Sequence, residues 1–169
     1  NTRRAKTSNL NRAGRKNAKL SIRFHTKTIV RYLMKFKTIF GATRSVKKAN
    51  KYLIDWDGKS RSKIQFKTKS FLKEFWYKYV VFEEFPVVGT RLSIDFFNAS
   101  KKIAIEVQGQ QHVKYTPFFH GKSKSNYIDQ LKRDKEKLDF CKINDIKLVE
   151  VYYNDEINSN LFKKQGVIL

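Results

Sequence analysis

The sequence has one cysteine, Cys141, and only two prolines. A single thiol excludes an internal disulfide and any zinc site built on paired cysteines, and it suits a reducing intracellular compartment. No apolar stretch approaches the length of a transmembrane helix, because charges interrupt each one within a few residues. Lipidation motifs and an amphipathic helix with a clean basic face are also missing, so no membrane partner is expected. The most informative absence is of acid: the first Asp or Glu in the chain is Asp55. Residues 1–50 hold 15 Lys and Arg, whereas the remainder holds 22 bases against 15 acids.

The formal net charge is +22. So large an excess opposes compaction unless a polyanion neutralises it, which makes nucleic acid, DNA or RNA, the expected partner. Arg3, Arg4, Lys6, Arg12, Arg15, Lys16, Lys19 and Arg23 lie in a stretch with almost nothing apolar to bury. Such an arm is expected to lack a fold of its own and to contact phosphates mostly without reading sequence. A cleavable transit peptide is the other reading of an Arg-rich, acid-free start. The chain begins with Asn1 rather than Met, so an upstream segment is expected.

From Thr26 the pattern turns helical: Ile29, Val30, Leu33, Met34, Phe36 and Phe40 recur at helical spacing, with Gly41 as the stop. A second short helix is predicted over Ser45 to Leu53, and Asp55-Trp56-Asp57-Gly58 reads as a turn. Ser62 to Trp76 forms a further helix with Ile64, Phe71, Leu72 and Phe75 on one stripe. Strands are predicted at Tyr79–Phe85, Leu92–Phe97 and Lys102–Gln108, all rich in β-branched and aromatic residues. A long helix from about Lys124 to Asn144, a strand over Lys147–Tyr153 and a short helix near Asn158–Lys164 complete the pattern. The fold class is therefore α/β, a mixed central sheet of about four strands flanked by helices. The predicted division is a basic arm with a helical extension over 1–54 and the α/β domain over 55–169.

Two of these strands carry an acid among apolar neighbours, Asp95 and Glu106. Alternation puts Glu106 and Gln108 on one face with Ala104, opposite Ile103, Ile105 and Val107. Two carboxylates at neighbouring strand ends are costly to bury unless a cation compensates. Mg²⁺ fits, since it takes one or two carboxylates plus waters and a phosphate oxygen. The alternative is two strand-end acids in solvent or paired with nearby lysines. After Glu106 the chain leaves the strand through Gly109 and presents His112, either an acid–base group or an ordinary loop histidine. His25 and His120 have weaker context, although His120 follows two Phe. The long helix adds Asp134 within an apolar seam of Tyr127, Leu131, Leu138 and Cys141. An acid there points to a site, or else lies at the edge of the stripe and pairs with Lys137.

Gly58-Lys-Ser-Arg-Ser-Lys63, Val81-Phe-Glu-Glu-Phe-Pro86, Gly89-Thr-Arg91, the Asp95 strand, Ile105-Glu-Val-Gln-Gly-Gln-Gln-His112 and Lys132-Arg-Asp134 together resemble phage-type nucleases of the PD-(D/E)XK, or restriction-endonuclease-like, superfamily. The nearest group is the Vsr-like set, with very-short-patch repair enzymes and EDxHD homing endonucleases, and the likeness covers roughly Asp57 to Tyr153. It implies Asp95 and Glu106 as metal-binding acids, His112 and Asp134 as the family's histidine and late aspartate, and Glu84 or Glu83 as its early glutamate. Gln108 stands where the superfamily has lysine, so the cationic part of the site falls to His112 or is lost. The implied activity is Mg²⁺-dependent endonucleolytic hydrolysis of phosphodiesters, in the cytoplasm of a phage-infected host. A rival expectation is an inactive nuclease fold serving as a structural protein in a large assembly. That assembly would be a ribonucleoprotein such as a mitochondrial ribosome, in the mitochondrion, or a virion.

Overall fold

The computed structural model describes residues 35–109 and 124–169. The basic arm, His25, His112 and His120 lie outside the described residues. Within the described part the order is β1 (Lys35–Lys37), β2 (Thr43–Ser45), a 3-10 turn (Ala49–Tyr52) and α1 (Lys63–Trp76). Then come β3 (Val81–Pro86), β4 (Ser93–Asn98), β5 (Ile103–Gln108), α2 (Lys124–Ile143), β6 (Lys147–Tyr152) and α3 (Ser159–Lys164). The main sheet runs β3-β4-β5-β6, antiparallel up to β5 and parallel between β5 and β6. It is a mixed four-stranded sheet with helices packed on it, as the sequence pattern requires.

One face of the sheet packs Val81, Phe96, Ile103, Ile105, Val149 and Val151 under Leu72 and Trp76 of α1 and Phe162 of α3. The rings of Phe71 and Phe162 stack at 5.7 Å, tying the two helices together. A second, aromatic cluster joins Phe82, Phe85 and Phe97 of the sheet to Phe36 of β1, whose ring also meets Phe140 of α2 at 5.6 Å. Phe82 and Phe85 are three apart, so regular alternation would send them to opposite faces. Glu84 between them has a left-handed backbone, φ 55°, and this local twist returns Phe85 to the cluster.

The helix expected through Phe40 is not formed over Lys35–Lys37, which pair as a strand with Thr43–Ser45. Phe36 is buried between two exposed lysines, a period of two. The turn is closed by Thr38, whose N–H donates to the Ala42 carbonyl and whose hydroxyl accepts from the Ala42 N–H. Gly41, predicted as a helix stop, instead supplies the positive φ of this hairpin. The helix expected over Ser45 to Leu53 shrinks to the 3-10 turn. Leu53 bridges to Phe82 and the Ile54 N–H donates to the Val81 carbonyl, so this segment is part of the sheet's edge. Lys35 to Leu169 thus form one compact unit.

Candidate active site

Register brings the strand acids together. Phe96 pairs with Ile105 and Phe97 with Ala104, so Asp95 stands directly across from Glu106 on the same face. Each carboxylate also bonds the other strand's backbone: Val107 N–H donates to Asp95 Oδ2 at 2.7 Å, and Asp95 N–H donates to Glu106 Oε1 at 3.3 Å. Burial raises the Asp95 carboxyl above its ordinary range against the opposing pull of the Val107 N–H and Lys137. Burial raises Glu106 too, and the nearby Asp95 charge adds to it. Two acids held this way create a demand for positive charge.

Lys137 of α2 meets that demand: its Nζ lies 2.5 Å from Glu106 Oε2, with the two side chains 17% and 5% exposed. The inward seam of α2 is Tyr127, Gln130, Asp134, Lys137 and Cys141, stepping by three and four, and all are buried or half-buried. The apolar seam expected from sequence is corrected here, because Leu131 and Leu138 are exposed. Asp134 keeps its inward place, and its charge adds to the rise of the Tyr152 phenol after burial, Glu150 and Asp155. Lys137, which the alternative reading paired with an Asp134 at the stripe's edge, gives its ammonium to Glu106. Cys141 is buried beneath the pair, and burial and the Glu106 charge push its thiol up to about 12, so it stays an unreactive thiol.

The remaining expected residues flank this centre. Gln108 is buried, and its amide donates to Glu150 Oε1 at 3.1 Å, so its side chain serves β6. Glu150 is the parallel partner of Glu106 and also accepts from the Tyr152 hydroxyl. On the other side, Glu84 accepts from Gln65, Ser93 and Arg61. Glu83 accepts from Ser60 and Gln65 and pairs with the fully buried Lys69 at 2.9 Å. This is why α1 buries Gln65 and Lys69 in its first half, beside the expected stripe, of which Leu72 is buried and Ile64, Phe71 and Phe75 are partly covered.

Oxygen donors of this kind suit a hard cation such as Mg²⁺. At Glu106 the Lys137 ammonium already supplies one positive charge. Among the described residues, however, no third acid, histidine or cysteine joins the pair to make a set of three metal ligands. A cation here would have Asp95 and Glu106 as its only protein carboxylates among the described residues.

The chain is similar to viral proteins. It is 34% identical over 73 residues to the uncharacterized protein 033L of Invertebrate iridescent virus 3, covering 43% of this chain and 37% of that one. It is 40% identical over 68 residues to the uncharacterized protein 094L of Frog virus 3, covering 40% and 44%. A third relative, the uncharacterized protein 307L of Invertebrate iridescent virus 6, is 36% identical over 74 residues, covering 43% and 37%. The match thus spans less than half of each relative. No family model and no solved structure matches the chain. Viral relatives place its setting in a virus-infected host cell. None of the described helices is long and apolar enough to cross a membrane.

Sequence reasoning missed Lys137, Glu150 and Arg61. Glu150 was open to discovery, since Leu148-Val-Glu-Val151 repeats the acid-among-aliphatics signature of Ala104-Ile-Glu-Val107. Lys137 follows Asp134 by one helical step, but only the packing of α2 shows which of its many lysines turns inward.

Proposed function

We propose that this chain is a nucleic-acid-binding protein of the PD-(D/E)XK type that hydrolyses phosphodiesters with Mg²⁺ at Asp95 and Glu106. One observation carries the reading: a half-buried and a buried carboxylate, Asp95 and Glu106, face each other across β4 and β5, with the Lys137 ammonium on Glu106. Asp95 and Glu106 would hold the metal, which when bound would stabilise charge on the scissile phosphate and lower the pKa of the attacking water. Lys137 would stand in for the lysine that Gln108 replaces, offering its ammonium to the phosphate or the nucleophilic water. Glu106 holds that ammonium in place, and Asp95 is aligned by the Val107 N–H. Asp134 would orient the α2 side of the site, Glu84 would keep Arg61 beside it, and His112 would serve as acid or base.

The test uses purified protein with DNA and RNA substrates. Cutting should require Mg²⁺ and stop with chelator, and Asp95→Asn should lower the rate at least about 100-fold while leaving binding within a few fold. Equal cutting by wild type and Asp95→Asn would remove the assignment. The second reading is a non-catalytic component of a virion. It is favoured by the Lys137 ammonium, which already pairs with Glu106 where a metal would have to bind.

A further inference from the structure

A cavity of about 290 Å³ opens between the 3-10 turn and the segment leading into α1, with Glu83 and Glu84 among its lining residues. Both of these carboxylates are already matched, Glu83 by Ser60, Gln65 and Lys69, and Glu84 by Gln65, Ser93 and Arg61. The cavity is therefore poorly suited to a cation. Lys51, Lys59 and Arg61 also line it. Lys51 packs its ammonium over Tyr52, and Lys59 offers only its carbonyl to Lys69, so neither is paired with a carboxylate among the described residues. The Arg61 side chain is 71% exposed and gives Nη1 to Glu84, which leaves further donors of its fork for a second acceptor. Besides Glu83 and Glu84, the lining has one further acid, Asp55, whose carboxylate accepts the Asp57 N–H of its own turn.

The cavity also adjoins the acid pair. Glu83 pairs with Phe96 and Phe85 with Ile94, so Glu84 sits opposite Asp95. Neighbouring strands are about 4.8 Å apart, which puts Glu84 about one spacing from Asp95 and two from Glu106. A strand whose scissile phosphate lies at Asp95 and Glu106 would reach the cavity with the next phosphates along.

We propose that this cavity binds a phosphodiester of the substrate strand adjacent to the one cleaved, held by Lys59 and Arg61, with Arg61 bridging Glu84 and that phosphate. The assignment rests on the reading of the chain as a nucleic-acid hydrolase, and it adds the place where the uncut part of the strand is gripped. The experiment measures binding of a 16-nucleotide single-stranded oligonucleotide (about the largest site of a single-strand-binding fold) by the full chain in chelator, from low to physiological salt. Lys59→Gln, Arg61→Gln and the double variant are compared with Lys67→Gln/Lys78→Gln, which removes the same charge from exposed positions of and beside α1.

The double variant should bind about tenfold more weakly at physiological salt, and its plot of log K against log salt should be shallower by about 0.7 to 0.9, the increment for one neutralised phosphate. The control pair should stay close to wild type. Lys59→Gln removes no carboxylate pairing, so its loss of affinity cannot be put down to misfolding. Equal losses in the control pair would overturn the assignment. So would a nucleoside monophosphate that competes as well as the oligonucleotide at equal phosphate concentration, which would make the cavity a mononucleotide site. If wild type cuts nothing with Mg²⁺ yet the double variant loses the slope, hydrolysis fails and the cavity stands. If wild type cuts and the double variant binds like the control pair, the cavity assignment fails and hydrolysis stands.

Discussion

For single side chains, the facing of Asp95 and Glu106 sets how the molecule responds to pH. Burial raises both carboxyls in the folded chain, so the folded state keeps protons that the unfolded chain has released. Stability without divalent cations should then fall as pH rises from the ordinary carboxylate range upward. Urea unfolding in chelated buffer should give a lower midpoint at pH 8 than at pH 5. Asp95→Asn removes one charge and keeps an oxygen for the Val107 N–H, so it should flatten this slope and add about 1 to 2 kcal/mol at pH 8; a variant weaker than its parent there would contradict the account. Lys137→Gln should act in the opposite sense. Leaving Glu106 buried without its ammonium should cost about 3 kcal/mol at pH 8. The cost should shrink at pH 5, where Glu106 takes up a proton, and a loss of equal size at both pH values would show that packing, not charge, was removed.

Among the elements, the β1–β2 hairpin is attached to the body by the Phe36 ring and by the Lys37 backbone, whose N–H and carbonyl both bond the Asn144 side-chain amide. Phe36 is 7% exposed and touches Phe85, Phe97 and Phe140, so it fastens β1 to the sheet and α2 at once. Phe36→Ala should cost about 3 to 5 kcal/mol in chemical unfolding; a loss below about 1 kcal/mol would mean the hairpin contributes little to the body. The helix and strands from Lys63 to Lys164 were legible because propensity, period and turn residues agree there, down to Ser62, whose hydroxyl accepts the Gln65 N–H as an N-cap. The segment from Lys35 to Leu53 misled because Phe36 and Phe40 fit a helical spacing, whereas one buried ring between two exposed lysines decides for a strand. In the site, Asp95 and Glu106 could be read from alternation within their own strands. The positions of Lys137 and Arg61 depend on how separate elements dock, and no periodicity of their own helices records that.

On the scale of the whole molecule, charge is the dominant property. Deleting residues 1–25 removes Arg3, Arg4, Lys6, Arg12, Arg15, Lys16, Lys19 and Arg23. The truncated chain should fold, since the compact unit begins at Lys35. It should bind nucleic acid more weakly and with a shallower salt slope, by about 0.7 to 0.9 for each phosphate no longer neutralised, whereas an unchanged slope would mean that the arm does not neutralise phosphate. The topology of the sheet has a consequence in time. Asp95 and Glu106 lie on strands joined by the short Ala99–Lys102 turn, whereas Lys137 arrives on the long crossover that links β5 to β6. Closing a short loop precedes closing a long one, so two like charges meet before their counter-charge is delivered. Refolding should therefore run faster at pH 5 than at pH 8, as the nascent hairpin then carries fewer negative charges, and Lys137→Gln should mainly speed unfolding and leave the refolding rate nearly unchanged.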